Sequence, residues 1–247
     1  MRVRGTVEYL GTKWAGWQLQ PGQPTVQGEI ERALAIVTGA PVRVAASGRT
    51  DAGVHASGQV MAFDVADDAD LARLQRSLNA LTDASICVAD LARANDAFDP
   101  RRHALSRSYE YTIVNGRPPS PFLADRCWHV HDPLDMTVLA ALAATLVGEH
   151  DFTAFRAADC ASASTRRFVS ASAWTRDGAV LTYRVTANAF LKQMVRTLVG
   201  SMVDVALGRL PESTFAALLD GGSRASAGRT APAAGLALVA VEYPPDL

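Results

Sequence analysis

Polarity alternates residue by residue from Arg2 to Tyr9, and stretches of the same alternating or β-branched character recur at 42–47, 57–65, 86–93, 108–114, 166–175, 179–187 and 236–243. A period of two is the pattern of a strand with one face on a core, so these eight stretches commit much of the chain to sheet. Between them the period lengthens to that of a helix. Thr25 is a capping residue with Gly28 at the capping-box position, and Ile30, Ala33, Leu34 and Val37 then share one helical face. Further helices are expected at 68–81, 135–147, 190–207 and 212–220, with Gly208 and Gly221 as stops. Asp177-Gly178 is a hairpin turn signal between two of the strands. Strands and helices interleaved in this way imply an α+β fold in two halves, each with at least two helices on largely antiparallel sheet. The Pro-rich stretch Asn115 to Pro121 is the expected boundary, giving halves of 1–115 and 122–247.

The composition is that of a globular chain, 49% hydrophobic and 20% charged over 247 residues. The N-terminal residues contain no apolar run long enough for a signal peptide or membrane span, so a cytoplasmic location is expected. Cys87, Cys127 and Cys160 are odd in number, far apart and without a C-x-x-C pair, which argues against a disulfide framework and a structural zinc site. His129 and His131 fall on one side of a strand, but no third ligand follows at a recognised spacing, so no metal is expected. A formal net charge of −1 lacks the basic footprint of a typical nucleic-acid binder. The basic residues are nevertheless unusual in kind: apart from Lys13 and Lys192 all are arginine, whose planar fork suits phosphate and stacks on flat rings.

One segment stands out chemically. Gly48 and Gly53 bracket a short polar stretch between two strands, a place where a loop displays its side chains. Arg49 and Asp51 are two apart, so in extended chain they project to the same side and the guanidinium can lie beside the carboxylate. A neighbouring cation keeps a carboxylate ionised, as a nucleophile or proton acceptor must be. The competing reading is structural: an aspartate followed by Ala-Gly is commonly a turn former. His55 is likewise either a base or, more commonly for a single histidine at a strand start, a packed or capping residue.

The run Gly48-Arg49-Thr50-Asp51-Ala52-Gly53-Val54-His55-Ala56, continued by Gly58-Gln59-Val60, resembles the signature of the TruA family of tRNA pseudouridine synthases. The resemblance extends through Gly16-Trp17-Gln18, Thr25-Val26-Gln27, Arg107 to Tyr111, Gly148 to Thr153, Phe190 to Arg196 with Val199-Gly200-Ser201, and Ala231 to Leu236. It implies a pseudouridine synthase fold of two ferredoxin-like halves, the first carrying the catalytic loop and the second completing the active-site cleft. It also implies a homodimer without cofactor or metal that acts on uridines 38, 39 and 40 of the tRNA anticodon stem-loop. Asp51 takes the place of the catalytic aspartate and Tyr109 that of a tyrosine stacking on the target base. The chain departs from the family pattern at Leu10, where an aspartate is usual, and at Phe98-Asp99, where an aromatic-His pair is usual. It also departs in Leu81 to Ile86, which lacks the usual Leu-Pro and Gly-Asp.

Isomerising uridine requires a base to be unstacked, detached, turned and rejoined, and a flat aromatic meets that need. Tyr109 shares a strand face with Tyr111 and Ile113, of which Tyr111 reads as core. Asp51 can add to C6 of the uracil or act at the ribose, and the sequence leaves both routes open. Arg49 is the local cation for either. Lys192 and Arg196, four apart, are expected on one helical face, where their mutual repulsion would be relieved by an anion between them. Arg196 also follows Met-Val as a recurrent arginine of the family does. Arg101, Arg102, Arg107, Arg166 and Arg167 are the expected phosphate contacts. The rival readings are a pseudouridine synthase for another RNA and a non-catalytic tRNA-binding or tRNA-folding protein.

Overall fold

A computed structural model describes residues 1–245. In chain order the elements are β1 (Arg2–Tyr9), α1 (Val26–Thr38), β2 (Ala45–Ala46), β3 (His55–Asp64), α2 (Leu71–Leu81), β4 (Ile86–Arg93) and β5 (Ser106–Asn115). Then come β6 (Trp128–Val130), α3 (Met136–Ala144), β7 (Gly148–Asp151), β8 (Arg166–Asp177) and β9 (Val180–Ala187). The series ends with α4 (Met194–Ala206), α5 (Glu212–Ala217) and β10 (Leu236–Glu242). The fold is α+β with largely antiparallel sheet, as the sequence periods require.

The chain forms two compact units, one of residues 1–105 with the segment from Ala237 onward and the other of Ser106–Leu236. This differs from the boundary expected at 115–121. β5 belongs to the second unit because it pairs with β9 at eight successive positions, from Arg107 opposite Ala187 to Val114 opposite Val180. The Pro-rich stretch is a loop within that unit, and the Asn115 amide donates to the carbonyls of Val130 and Asp132 beside it. Proline and glycine mark any surface loop, so they could not distinguish this one from a linker.

In the first unit β3 and β4 flank β1, both antiparallel to it, and β2 and β10 pair with β3, β10 in parallel. The β1-α1-β2-β3-α2-β4 order with strands arranged β4-β1-β3-β2 is the split β-α-β pattern of ferredoxin-like folds. Val3, Val7 and Tyr9 are buried on one sheet face, as are Ile30, Ala33 and Leu34 of α1 and Leu74 and Leu78 of α2. The opposite face carries Ala62, against which Ala94, Phe98 and Tyr243 pack. Phe98, the aromatic that precedes the departure at Asp99, is thus a core residue. Thr25 caps α1 as expected, its hydroxyl accepting from the Gly28 N–H. Asp70 and Asp135 cap α2 and α3 in the same way.

In the second unit β5, β9, β8 and β7 lie side by side, and with the short β6 and β7 set aside the elements β5, α3, β8, β9 and α4 follow one another as β-α-β-β-α. Gly178 has φ +57° in the turn between β8 and β9, where the Asp-Gly signal placed it. Helix α4 is buried almost throughout, with Val195, Leu198, Val199, Met202 and Val203 in the core. It starts four residues later than expected, because Gln193 adopts φ +62°, in the left-handed region that ends helical continuity. Gly208, at φ +69°, follows its last turn.

Candidate active site

The loop between β2 and β3 is built from backbone and side-chain bonds on both sides of Asp51. The Tyr9 and Thr50 hydroxyls share a hydrogen bond of 2.8 Å in the interior. The Trp17 N–H donates to the Thr50 carbonyl, and the Gly53 N–H donates to that of Trp14. Gly16 makes this approach possible: at φ +96°, a Cβ on it would lie 2.7 Å from the Thr50 oxygen. Val54 closes a turn by donating its N–H to the Asp51 carbonyl. Upstream, Ser47 bonds to the Gln59 amide oxygen, and Gln59 donates to the Gly48 carbonyl.

The loop is therefore less open than its polarity implied. Ser47 and Thr50 are buried, Asp51 is half-buried and Arg49 is exposed. Among the described residues Arg49 makes no ion pair, so the expected guanidinium beside the Asp51 carboxylate is not formed. Thr50 is fixed between them by two bonds, and the chain turns after it instead of continuing extended. His55 is buried, and its Nδ1 accepts the Gly11 N–H at 2.9 Å, which is the packing role. Nearby, the Trp14 indole N–H donates to the Ser85 hydroxyl, which donates in turn to Asp83. Lys13 also pairs with Asp83, and these contacts hold the Asp83 carboxyl down at about 2. This network occupies the segment that departs from the family pattern at Leu81 to Ile86.

The other candidates belong to the second unit. Tyr109, on β5, is half-buried, with Phe190 edge-on to its ring at 4.9 Å. Two residues on, Tyr111 is fully buried and donates its hydroxyl proton to the Pro232 carbonyl at 2.7 Å. Burial holds the Tyr111 phenol far above its ordinary range, so it acts as a neutral donor. Tyr111 is a core residue, as its position implied.

Arg196, in the first turn of α4, donates its Nε proton to the Ala231 carbonyl at 2.8 Å, while its own carbonyl accepts the Ala231 N–H. Lys192 precedes the helix and does not share a helical face with Arg196. The left-handed Gln193 between them removes the expected like-charge pair, and Lys192 instead pairs with Asp159 at 2.6 Å, both exposed. Of the expected phosphate contacts, Arg101, Arg102 and Arg166 are exposed, and Arg107 donates to the Asn188 carbonyl. Arg167 is half-buried, bonds to Ser162 and Ser164, and loses basicity through burial.

Sequence reasoning passed over Tyr9, Trp14 and Gln59 as contributors to the loop, although Gly16 and Gln59 stood within matched motifs. Their bonds join residues 11 to 41 positions apart, a separation that no local pattern reveals. Among the described residues no three metal-ligating side chains come together, and no helix is long and apolar enough to cross a membrane.

A sequence profile of the family described as tRNA pseudouridine synthase matches residues 6–101 and 142–244. Asp51, Arg49, Lys192 and Arg196 fall inside the match, and Tyr109 falls in the gap between its two segments. The tRNA pseudouridine synthase A of Myxococcus xanthus is 42% identical over 98% of this chain and 92% of that protein. That of Geobacter sulfurreducens is 42% identical over 98% of this chain and 99% of its own length. The protein of the same name from Frankia casuarinae is 44% identical over 100% of this chain and 90% of its own. A profile running through both units, together with relatives at this identity over nearly the full length, shows that the chain belongs to the tRNA pseudouridine synthase family.

Proposed function

We propose that this chain converts uridines 38, 39 and 40 of the tRNA anticodon stem-loop to pseudouridine, with Asp51 as the catalytic group. Family membership gives the reaction class, an isomerisation of uridine in tRNA. The N1–C1′ bond breaks, C5 joins C1′, and the proton lost from C5 is matched by one gained at N1. The product is an isomer of the substrate, so the overall conversion is redox-neutral and transfers no phosphate.

The observation that carries the role of Asp51 is its setting. The half-buried Asp51 sits on a turn between buried Thr50 and buried Val54, with main-chain or side-chain bonds at both, so the backbone that carries the carboxylate is fixed before substrate arrives. Addition to C6 and assistance at the ribose both need a carboxylate held in this way, because fixing it in advance removes orientational cost from the barrier. Tyr109, braced edge-on by Phe190, supplies a stacking face worth about 1–3 kcal/mol for an unstacked base. Arg196, held through its Nε, contributes a fixed positive charge to the substrate. Arg49 is exposed and serves a phosphate, as does Lys192, whose exposed pair with Asp159 is weak enough to be exchanged. A cytoplasmic homodimer completes the reading: doubling the arginine clusters lets a chain of net charge −1 hold a polyanion.

The test is to incubate wild type and Asp51→Ala with unmodified tRNA carrying uridine at 38, 39 or 40, mapping pseudouridine by adducts that stop reverse transcription. Wild type is expected to modify these positions, and Asp51→Ala to bind the tRNA without detectable product. Pseudouridine found only elsewhere would overturn the substrate assignment, and an active Asp51→Ala would overturn the role of the aspartate. Wild type that binds tRNA and forms no pseudouridine anywhere would leave the binding-protein reading in its place. Sedimentation of the free protein at the chain's own mass would remove the dimer.

A further inference from the structure

We infer that Asp204 is a positioning residue for Arg196, acting through the 228–231 segment; this rests on Arg196 being a site residue. Arg196, Gly200 and Asp204 are spaced four apart and lie on successive turns of one face of α4. The segment Gly228 to Ala231 runs along that face in the opposite direction. At its near end the Gly228 N–H donates to the Ser201 hydroxyl at 2.9 Å, and the Arg229 N–H donates to Asp204 Oδ2 at 3.1 Å. The Arg229 side chain closes onto Asp204 Oδ1 through Nε and Nη2, both at 2.9 Å. At its far end Ala231 exchanges two bonds with Arg196, one of them holding the guanidinium.

Gly200 lets the strap lie this close: a Cβ there would sit 1.8 Å from the Arg229 carbonyl oxygen. The Asp204 side chain is only 10% exposed, so its carboxylate is a charged anchor in the interior, and three of its bonds are made to a single residue, Arg229. On the other side of Ala231, Tyr111 holds the Pro232 carbonyl. The Ala231 carbonyl is thus fixed from both directions, and with it the Nε to which it is bonded. Releasing the Asp204 end unfastens Arg229, two residues before Ala231, and leaves the strap on that side held by Ser201 and by Arg224, which donates to the Gly228 carbonyl and the Thr230 hydroxyl. The arginine then loses a defined acceptor position and keeps its charge. The expected consequence is a loss of rate without a loss of tRNA affinity.

Four proteins, wild type, Arg196→Ala, Asp204→Asn and the double variant, are to be compared for kcat and KM of pseudouridine formation on tRNA. Asp204→Asn is expected to lower kcat at least tenfold with KM within threefold of wild type. The double variant is expected to be no slower than Arg196→Ala, because two residues acting as one unit lose their effect together. Ser201→Ala, which removes the Gly228 anchor and leaves the ion pair, provides a milder second variant with the same pattern, should Asp204→Asn fold poorly. If Arg196→Ala itself turns over like wild type, the reading of Arg196 as a site residue fails. If Arg196→Ala is slow while Asp204→Asn and Ser201→Ala are not, or if the losses multiply in the double variant, the positioning role alone is overturned.

Discussion

The hydroxyl of Tyr9 shows how a single atom remote in sequence can brace the loop of a candidate site residue. Its bond to Thr50 lies beneath the peptide that leads into Asp51, and both partners are buried. Tyr9→Phe keeps the ring and removes that bond, leaving the Thr50 hydroxyl with one partner fewer in the interior. A stability loss of about 1–2 kcal/mol is expected from urea denaturation. If Asp51 is the catalytic group as proposed, the rate of pseudouridine formation should fall at the same time with tRNA affinity unchanged, because the loop that carries it loses a support and the exposed arginines proposed for phosphate do not. Arg49 shows the converse. Its spacing from Asp51 was legible in the sequence, but its partner was not, because the turn after Thr50 cancels the extended geometry on which the two-residue rule depends.

Helix α4 carries Arg196 in its first turn and is packed on more than one side. One face is core and another carries the strap, so small residues are required where backbone meets backbone. Gly200→Ala places a methyl group against the Arg229 carbonyl, which is main chain and cannot rotate aside. A loss of about 3 kcal/mol is expected, measured as a lowered urea midpoint at constant m-value. The same helix exposes a limit of periodicity. Residues 190–193 read as its first turn from their pattern, yet the left-handed Gln193 sets Lys192 outside it. A left-handed non-glycine residue is dictated by the packing around it, and its identity as glutamine gives no warning.

For the whole molecule, acid stability follows from carboxyls held below their ordinary values on separate elements. Glu29 is lowered chiefly by its hydrogen bonds with Arg32, Asp83 by Lys13 and Ser85, and Asp151 by the Thr153 hydroxyl. Each is charged in the fold at pH values where its counterpart in the unfolded chain is already protonated. The stability they contribute is complete above the unfolded values near 4 and is lost as pH falls through the folded ones, which for Asp83 is about 2. Urea midpoints are therefore expected to be level above about pH 5 and to decline from pH 4 to pH 2. Asp83→Asn should make that decline shallower, and an unchanged slope would remove Asp83 from the account.

The order and type of the elements were legible because polarity period is a local property: β1 and β4 begin and end where their alternation does. The short β6 and β7 escaped, being three and four residues with too few positions to establish a period. Asp51 was legible through a long contiguous motif, and Thr25 through its own capping chemistry. Only the tertiary structure decided that β5 lies beyond the unit boundary, that Arg49 stands apart from Asp51, and that Arg196 is held by Ala231 across 35 positions of chain. A sequence specifies which groups a residue can bond, but the bond forms with whatever the fold brings within about 3 Å, and that is a property of chain crossings instead of neighbours.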